Sequence, residues 1–333
     1  MFLDPVLKER PWSPSKVQTL LKCPLAFHLK YRMKLKEGPS GPDARIGTTA
    51  HSLYEWGLRD AMPDEASVLS EGAESEDDAP PTIVPVPSHT EEALIEKLEY
   101  LLDLFARAPR NKLNDEELAK ATSYLPRVQS FILGMQRLAE KYGVEEFYLE
   151  HKASIDVDFK PTKYTDRAAL IRGVMDMGFR TRDGMFVIID HKTGKPKNLG
   201  DYDDQLRTYQ IFVLAHYPGI NAIQCGINHV RKTSVDWAEP VSIEDVEKTV
   251  KPWMLHYFTN VGVKLLQLEG RETTPKSSPL CNWCGYVDTP DLCMKGVEAI
   301  LAKPLGPRLE RQKKGLPVIQ WVHDRAQAEA AAQ

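Results

Sequence analysis

The residues in this chain that could do chemistry are acids, a lysine and cysteines recurring at short spacings. Asp176 and Asp190 are equidistant from Asp183, which lies in Thr-Arg-Asp-Gly, a hairpin-turn sequence between the apolar runs AALIRGVMDMGFR and MFVIID. An antiparallel register centred on Asp183 puts the two carboxylates directly opposite each other on adjacent strands. Like charges so placed repel, and a divalent cation between them is the simplest compensation. Lys192 follows Asp190 by two residues and so projects from the same face of its strand. Two carboxylates and an ammonium on one surface suit Mg²⁺-assisted phosphodiester hydrolysis. Oxygen donors hold a hard cation, and the lysine orients water or offsets developing charge. The acid-x-Lys spacing alone is common, since Glu150-His-Lys152 and Asp158-Phe-Lys160 share it. Only Asp190-His-Lys192 comes with a hairpin partner.

Further candidates lie on either side. Gln205 and Tyr209 are four apart on an expected helix, 202–216, so they share a face from which an amide and a phenol can reach a phosphate or its water. His51, in Gly47-Thr-Thr-Ala-His51, falls inside a helix, where a lone histidine is more often structural than a ligand. Cys281-Asn-Trp-Cys284 is a C-x-x-C pair, Cys293 lies nine residues further on, and Cys23 is far upstream. Three local thiolates want a fourth; a Zn²⁺ site or an iron–sulfur cluster would use four. Cys225, in an apolar strand, reads as a buried structural thiol.

The elements that must position these residues follow from periodicity and punctuation. Ser13-Pro14 opens a helix that Pro24 interrupts, and 44–62 reads as a second helix with an apolar stripe. Residues 91–107 and 126–142 make amphipathic helices. The pattern changes near 146, where FYLEHKASIDVDF alternates as a half-buried strand does. The hairpin, the helix 202–216, the strand NAIQCGINHVRK and a long helix near 243–268 follow. This order predicts an α/β core with a helical N-terminal half, followed by a C-terminal cysteine knuckle. The divisions expected are 1–62 (N-terminal helices), 63–90 (an acidic, Pro-rich flexible insert), 91–143 (helical), 144–268 (the core), 269–300 (the cysteine segment) and 301–333 (a basic tail), all within one integrated domain.

Composition bounds the function. The chain has 333 residues, 42% of them hydrophobic, enough for a sizeable core. Five cysteines are too few, and odd in number, for a disulfide scaffold. No apolar run nears the ~18 residues of a membrane span, and MFLDPVLKERPWSPSK has no signal-peptide core, so a soluble, cytoplasmic protein without a membrane partner is expected. The net charge of −4 hides a split: residues 61–92 hold nine acids and no Lys or Arg, leaving +5 elsewhere. Residues 1–36 hold eight Lys/Arg against two acids, which is compatible with a polyanion partner.

Taken together, these motifs resemble the PD-(D/E)XK nuclease superfamily, and most closely its RecB-like iron–sulfur branch: the AddB nuclease domain, the CRISPR-adaptation nucleases and phage exonucleases. Ser-Pro-Ser-Lys with Leu-Lys-Cys23-Pro-Leu-Ala-Phe is similar to the family's opening helix. Gly47-Thr-Thr-Ala-His51, Gly173-Val-Met-Asp176, Asp190-His-Lys192-Thr-Gly, Gln205-Leu-Arg-Thr-Tyr209 and the trio Cys281, Cys284, Cys293 follow in the family's order. The resemblance implies a PD-(D/E)XK restriction-endonuclease-like core, a mixed central sheet flanked by helices, with a C-terminal Fe–S knuckle. It implies that His51, Asp176, Asp190 and the His191 backbone carbonyl bind Mg²⁺ or Mn²⁺, with Lys192 as the catalytic lysine. It further implies that Cys23 joins the trio on a [4Fe–4S] cluster, with structural Zn²⁺ as the alternative. The activity implied is that of a DNA exonuclease acting on single strands or duplex ends in recombination, repair or phage DNA processing. The alternative is a non-catalytic or weakly catalytic DNA-end-binding subunit. No G-x-x-x-x-G-K-[ST] loop is present, so any unwinding would come from a partner helicase or recombination protein.

Overall fold

The computed structural model describes residues 3–35, 41–69, 82–232 and 234–268, with Pro275, Lys276, Cys281, Cys284, Tyr286 and Cys293. In chain order the helices before the sheet's core are α1 (Asp4–Lys8), α2 (Pro14–Lys22), α3 (Pro24–Phe27), α4 (Pro42–Gly57) and α5 (Glu65–Leu69). The edge strand β1 (Thr82–Pro85) precedes α6 (Glu91–Arg107), α7 (Asp115–Thr122) and α8 (Leu125–Tyr142). The core strands β2 (Glu146–Ile155), β3 (Ile171–Arg180) and β4 (Met185–Lys192) lead through α9 (Asp203–His216) to β5 (Ala222–His229). The short strands β6 (Val235–Trp237) and β7 (Val241–Ser242) precede α10 (Ile243–Gln267). The α/β class expected from the sequence is the one found. Among the described residues, no helix is long and apolar enough to cross a membrane.

The chain divides into two compact units, one of Leu3–Pro14 with Arg45–Asn260, the other of Ser15–Ala44 with Val261 and the described residues beyond it. The first unit carries one sheet of order β1-β2-β3-β4-β5-β6, with β7 also on β5. All pairings are antiparallel except β4 with β5, which run parallel through the α9 crossover. That parallel pair explains why MFVII of β4 is continuously apolar: it is covered on both faces. The β3–β4 ladder runs Met177↔Ile189 to Arg180↔Phe186, the register centred on Asp183. Gly184 closes the turn at φ +89°, a conformation open to glycine and costly for other residues.

Helices α4, α6 and α8 bury their apolar stripes against this sheet. Leu53, Leu98 and Ile132 are fully buried in one cluster with Phe147, Leu149, Phe179 and Ile189. Local signals set the helix ends. Thr90 caps α6 by accepting the Ala93 N–H at 3.2 Å, Asn114 and Glu117 form a capping box on α7, and Gly143 ends α8 at φ +62°. In the second unit, Cys23 is the extended residue before α3, and Pro24 opens that helix.

Within the interval 63–90, expected as a flexible insert, the described residues form two elements. Glu65–Leu69 is a helical turn, and Thr82–Pro85 pairs antiparallel with β2 and buries Val84. A short apolar strand ending in proline can still add to a sheet edge, where proline's missing N–H faces no partner. The acidic run at 70–81 and the tail 301–333 lie outside the described residues, as does most of 269–300.

The core makes a direct prediction. Leu98→Ala removes a fully buried side chain remote from the acid cluster and should lower unfolding free energy by about 2–5 kcal/mol. Urea denaturation checks this; an unchanged midpoint would contradict the packing.

Candidate active site

Strand β2 departs from regular alternation at one residue. Tyr148 and His151 both pack on the ring of Tyr217, at 5.2 and 5.6 Å, although an odd spacing should send them to opposite faces. The switch falls at Glu150, whose φ is +45°, with the pairing register to β3 unchanged on either side. Continued through that position, the register sets Glu150 opposite Asp176. A non-glycine residue held in this region is strained, and such strain concentrates at functional sites. It turns the Glu150 carboxylate toward the Asp176 end of the sheet.

Helix α4 supplies the third group. Ligand atoms of His51, Glu150 and Asp176 all lie within 4.8 Å of one another, and His51 Nδ1 is 3.5 Å from Asp176 Oδ2. The helix comes this close because Gly47 has no side chain; a Cβ there would sit 2.9 Å from Thr193 Oγ1, just beyond β4. Tyr54, three residues after His51 on the same face, stacks on the His191 ring at 4.1 Å and 7°.

Asp176 and Asp190 sit where the β3–β4 ladder ends. There the Asp176 carboxylate takes over from the backbone: His191 N–H donates to its Oδ2 at 2.7 Å. Asp190 is held separately. Its Oδ1 accepts from Gln205 Nε2 at 2.8 Å and lies 3.0 Å from the Tyr209 hydroxyl, while its Oδ2 pairs with Lys192 Nζ at 2.5 Å. Gln205 also donates to the Tyr209 oxygen at 2.6 Å, which leaves the single phenolic proton for Asp190 or the Val174 carbonyl, 3.0 Å away. Gly173 lets α9 approach, since a Cβ there would meet Phe212 at 2.9 Å.

Electrostatics follow from this crowding. Burial, then the charges of Asp176, Glu55 and Asp190, push the Glu150 carboxyl up to about 9. Burial and then the Asp190 charge push Asp176 up to about 6, although His51 and the His191 N–H pull the other way. The His191 imidazole is driven well below its ordinary value, first by burial. Its Nδ1 faces the Asn228 amide nitrogen at 2.9 Å, so Nδ1 accepts and the proton sits on Nε2.

The structure thus gathers His51, Asp176, Asp190, His191, Lys192, Gln205 and Tyr209 at one end of β3 and β4. It does not place Asp190 in the closest trio; that position belongs to Glu150. Glu150 keeps the phase of the less buried positions of its strand, and its acid-x-Lys spacing recurs elsewhere, so nothing in the sequence sets it apart. The trio offers oxygen donors and one imidazole around mutually repelling carboxylates, a donor set that fits a hard divalent cation. In the second unit, Cys23 and Cys284 pack into one apolar cluster with Cys293, Leu25, Leu29 and Tyr286. The Cys284 N–H donates to the Cys281 carbonyl at 3.3 Å, closing the C-x-x-C turn. Among the described residues these thiols do not converge as closely as the trio does. Cys225 is buried, as expected for a structural thiol.

The family model of the PD-(D/E)XK nuclease superfamily matches residues 11–289. No curated protein matches the chain.

The raised carboxyl groups predict a pH dependence. An acid whose folded-state pKa exceeds its unfolded value stabilises below the unfolded value and loses that stability as pH rises through the folded one. Metal-free protein should therefore lose stability between about pH 5 and pH 9, and Glu150→Gln should flatten the loss. Denaturation midpoints in EDTA at several pH values test this; a wild-type midpoint that is flat over that window would refute it.

Proposed function

The chain belongs to the PD-(D/E)XK nuclease superfamily, a family of metal-dependent nucleases, and from that premise we propose that it is a DNA exonuclease of the RecB-like kind. The observation that carries this is the convergence of the His51–Glu150–Asp176 trio beside the Asp190–Lys192 pair. In this reading His51, Glu150 and Asp176 hold Mg²⁺ or Mn²⁺, with Asp190 and the His191 carbonyl as further ligands. Bound there, the cation would supply Lewis-acid polarisation of a phosphoryl oxygen.

The protein's own groups do the rest. Lys192, fixed by Asp190, orients the attacking water and stabilises the charge that develops as the new P–O bond forms and the leaving P–O bond breaks. Gln205 and Tyr209 saturate Asp190 Oδ1 and so aim Oδ2 at Lys192. Exonuclease action on single-stranded DNA or duplex ends rests on the likeness of the motifs to the exonuclease branch. A partner helicase or recombination protein in the cytoplasm of a bacterial cell or phage-infected host completes the proposal. The thiols of Cys23, Cys281, Cys284 and Cys293 are the donor set proposed for a [4Fe–4S] cluster, with Zn²⁺ as the alternative.

Asp190→Ala should reduce Mg²⁺- or Mn²⁺-dependent digestion of end-labelled linear DNA by about 10³-fold or more with the fold retained. Loss of linear but not circular DNA would identify an exonuclease. Undiminished cutting by the variant would refute the site, and a wild type that binds DNA ends without cutting would favour the end-binding subunit. Cys284→Ala should lower the melting temperature more than Cys225→Ala; equal melting temperatures would count against a metal group on the cysteines.

A further inference from the structure

The left-handed conformation at Glu150, φ +45°, is costly for any residue with a side chain, so packing elsewhere in the unit must hold it. Parity along β2 shows where that packing lies. Phe147 and Leu149 are buried in the cluster that also contains Leu53 and Tyr54, so α4 lies on their face of the sheet. Tyr148 lies on the other face, its ring 5.2 Å from Tyr217, which follows α9, and 5.7 Å from Phe186 of β4. Unbroken alternation would put Glu150 on the Tyr148 face, away from α4, and His151 on the α4 face. The structure has them exchanged. His151 joins the rings, 5.6 Å from Tyr217 and 6.0 Å from His216, while a Glu150 carboxylate oxygen lies within 4.8 Å of a ring nitrogen of His51 on α4.

The seat that His151 occupies is closely packed. Gly178, opposite Tyr148 in the register, leaves the space that Phe186 fills; a Cβ there would sit 2.9 Å from the Phe186 ring. Phe186 packs in turn on Tyr217 at 4.4 Å. His216 is tied to β2 itself, its Nε2 donating to the Ser154 carbonyl at 2.9 Å. His151 is 4% exposed, and among the described residues neither of its ring nitrogens has a hydrogen-bond partner. A buried imidazole without partners makes no use of its polar atoms; this position uses a flat ring that fits among other rings.

We propose that His151, seated on Tyr217, is a positioning residue: its burial among the rings holds Glu150 in the left-handed conformation and so delivers the Glu150 carboxylate to His51 and Asp176. The proposal rests on the metal-site reading for what that carboxylate then binds, a divalent cation.

The test has a metal-free arm and a metal arm. In EDTA, Glu150→Gly should melt about 2–4 °C above Glu150→Ala, because glycine accepts a positive φ at little cost; in a relaxed strand the order is the reverse. Adding His151→Ala to both should abolish or reverse that order. Leu98→Ala, which destabilises the same unit elsewhere, should preserve it. Where His151→Ala does not fold, Tyr217→Leu takes its place, keeping apolar volume beside Phe186 without the ring. In the metal arm, Mn²⁺ titration is followed by the electron paramagnetic resonance of the free ion. His151→Ala should weaken affinity about tenfold or more, and His151→Phe, which keeps a ring, should stay within about threefold of wild type. In a Glu150→Gln background, His151→Ala should add less than about threefold. Three results would each overturn the proposal: Glu150→Gly melting no higher than Glu150→Ala, an order indifferent to His151→Ala, or a loss of Mn²⁺ affinity undiminished in the Glu150→Gln background. A wild type that binds no Mn²⁺ sinks the metal-site reading, while the melting order still decides whether His151 holds Glu150.

Discussion

Three carboxylates on three adjacent strands cannot share one end of a sheet without compensation. Glu150 on β2, Asp176 on β3 and Asp190 on β4 repel one another, and burial sharpens the repulsion by removing water. Much of the local structure answers to this. His51 is carried to Asp176 by a helix that a glycine lets in close. The backbone of β4 gives Asp176 an N–H where the ladder would otherwise continue, and Lys192 with the amide and phenol of α9 surrounds Asp190. The compensation is uneven. Asp190 is paired and hydrogen-bonded, while Glu150 and Asp176 keep raised affinity for protons, which is the condition a divalent cation would relieve.

The supports behind these groups matter as much as the groups. His191 separates the aspartate from the lysine in the core motif, and its ring is buried between Tyr54 and Phe131 with Asn228 on Nδ1. A neutral, clamped imidazole fixes the backbone on either side of it, and that backbone sets where Asp190, Lys192 and the His191 carbonyl stand. The ring thus links α4 and α8 to β5 through one side chain. Precision at such sites depends on supporting contacts of this kind.

The second unit has a different logic. Its cysteines pack among leucines and Tyr286, whose hydroxyl donates to the Leu35 carbonyl at 3.0 Å. Cys23 and Cys284 are some 260 residues apart in the chain yet share that cluster. A group bound by both would tie the beginning of the chain to its end, and cross-links between distant segments restrict the unfolded chain most.

Much of this was legible in the sequence because it is local. The α/β class, the amphipathic helices near 91–107 and 126–142, and the hairpin register about Asp183 follow from periodicity and turn chemistry, which need only neighbouring residues. The Asp190–Lys192 pair followed from strand alternation. The edge strand Thr82–Pro85 did not, because four residues, the last of them a proline, carry too little pattern, and only the open edge of β2 selects them. Glu150 was hidden for a related reason. A strand pattern assigns faces by parity, and parity fails where the backbone turns to a positive φ. Whether His51 was a core histidine or part of the site was likewise undecidable along the chain. It depended on how closely α4 approaches β4, a distance set by Gly47 against Thr193 and by the stacking of Tyr54 on His191. Residue spacing determined which chemistry was available; packing between distant segments decided which acids share a site.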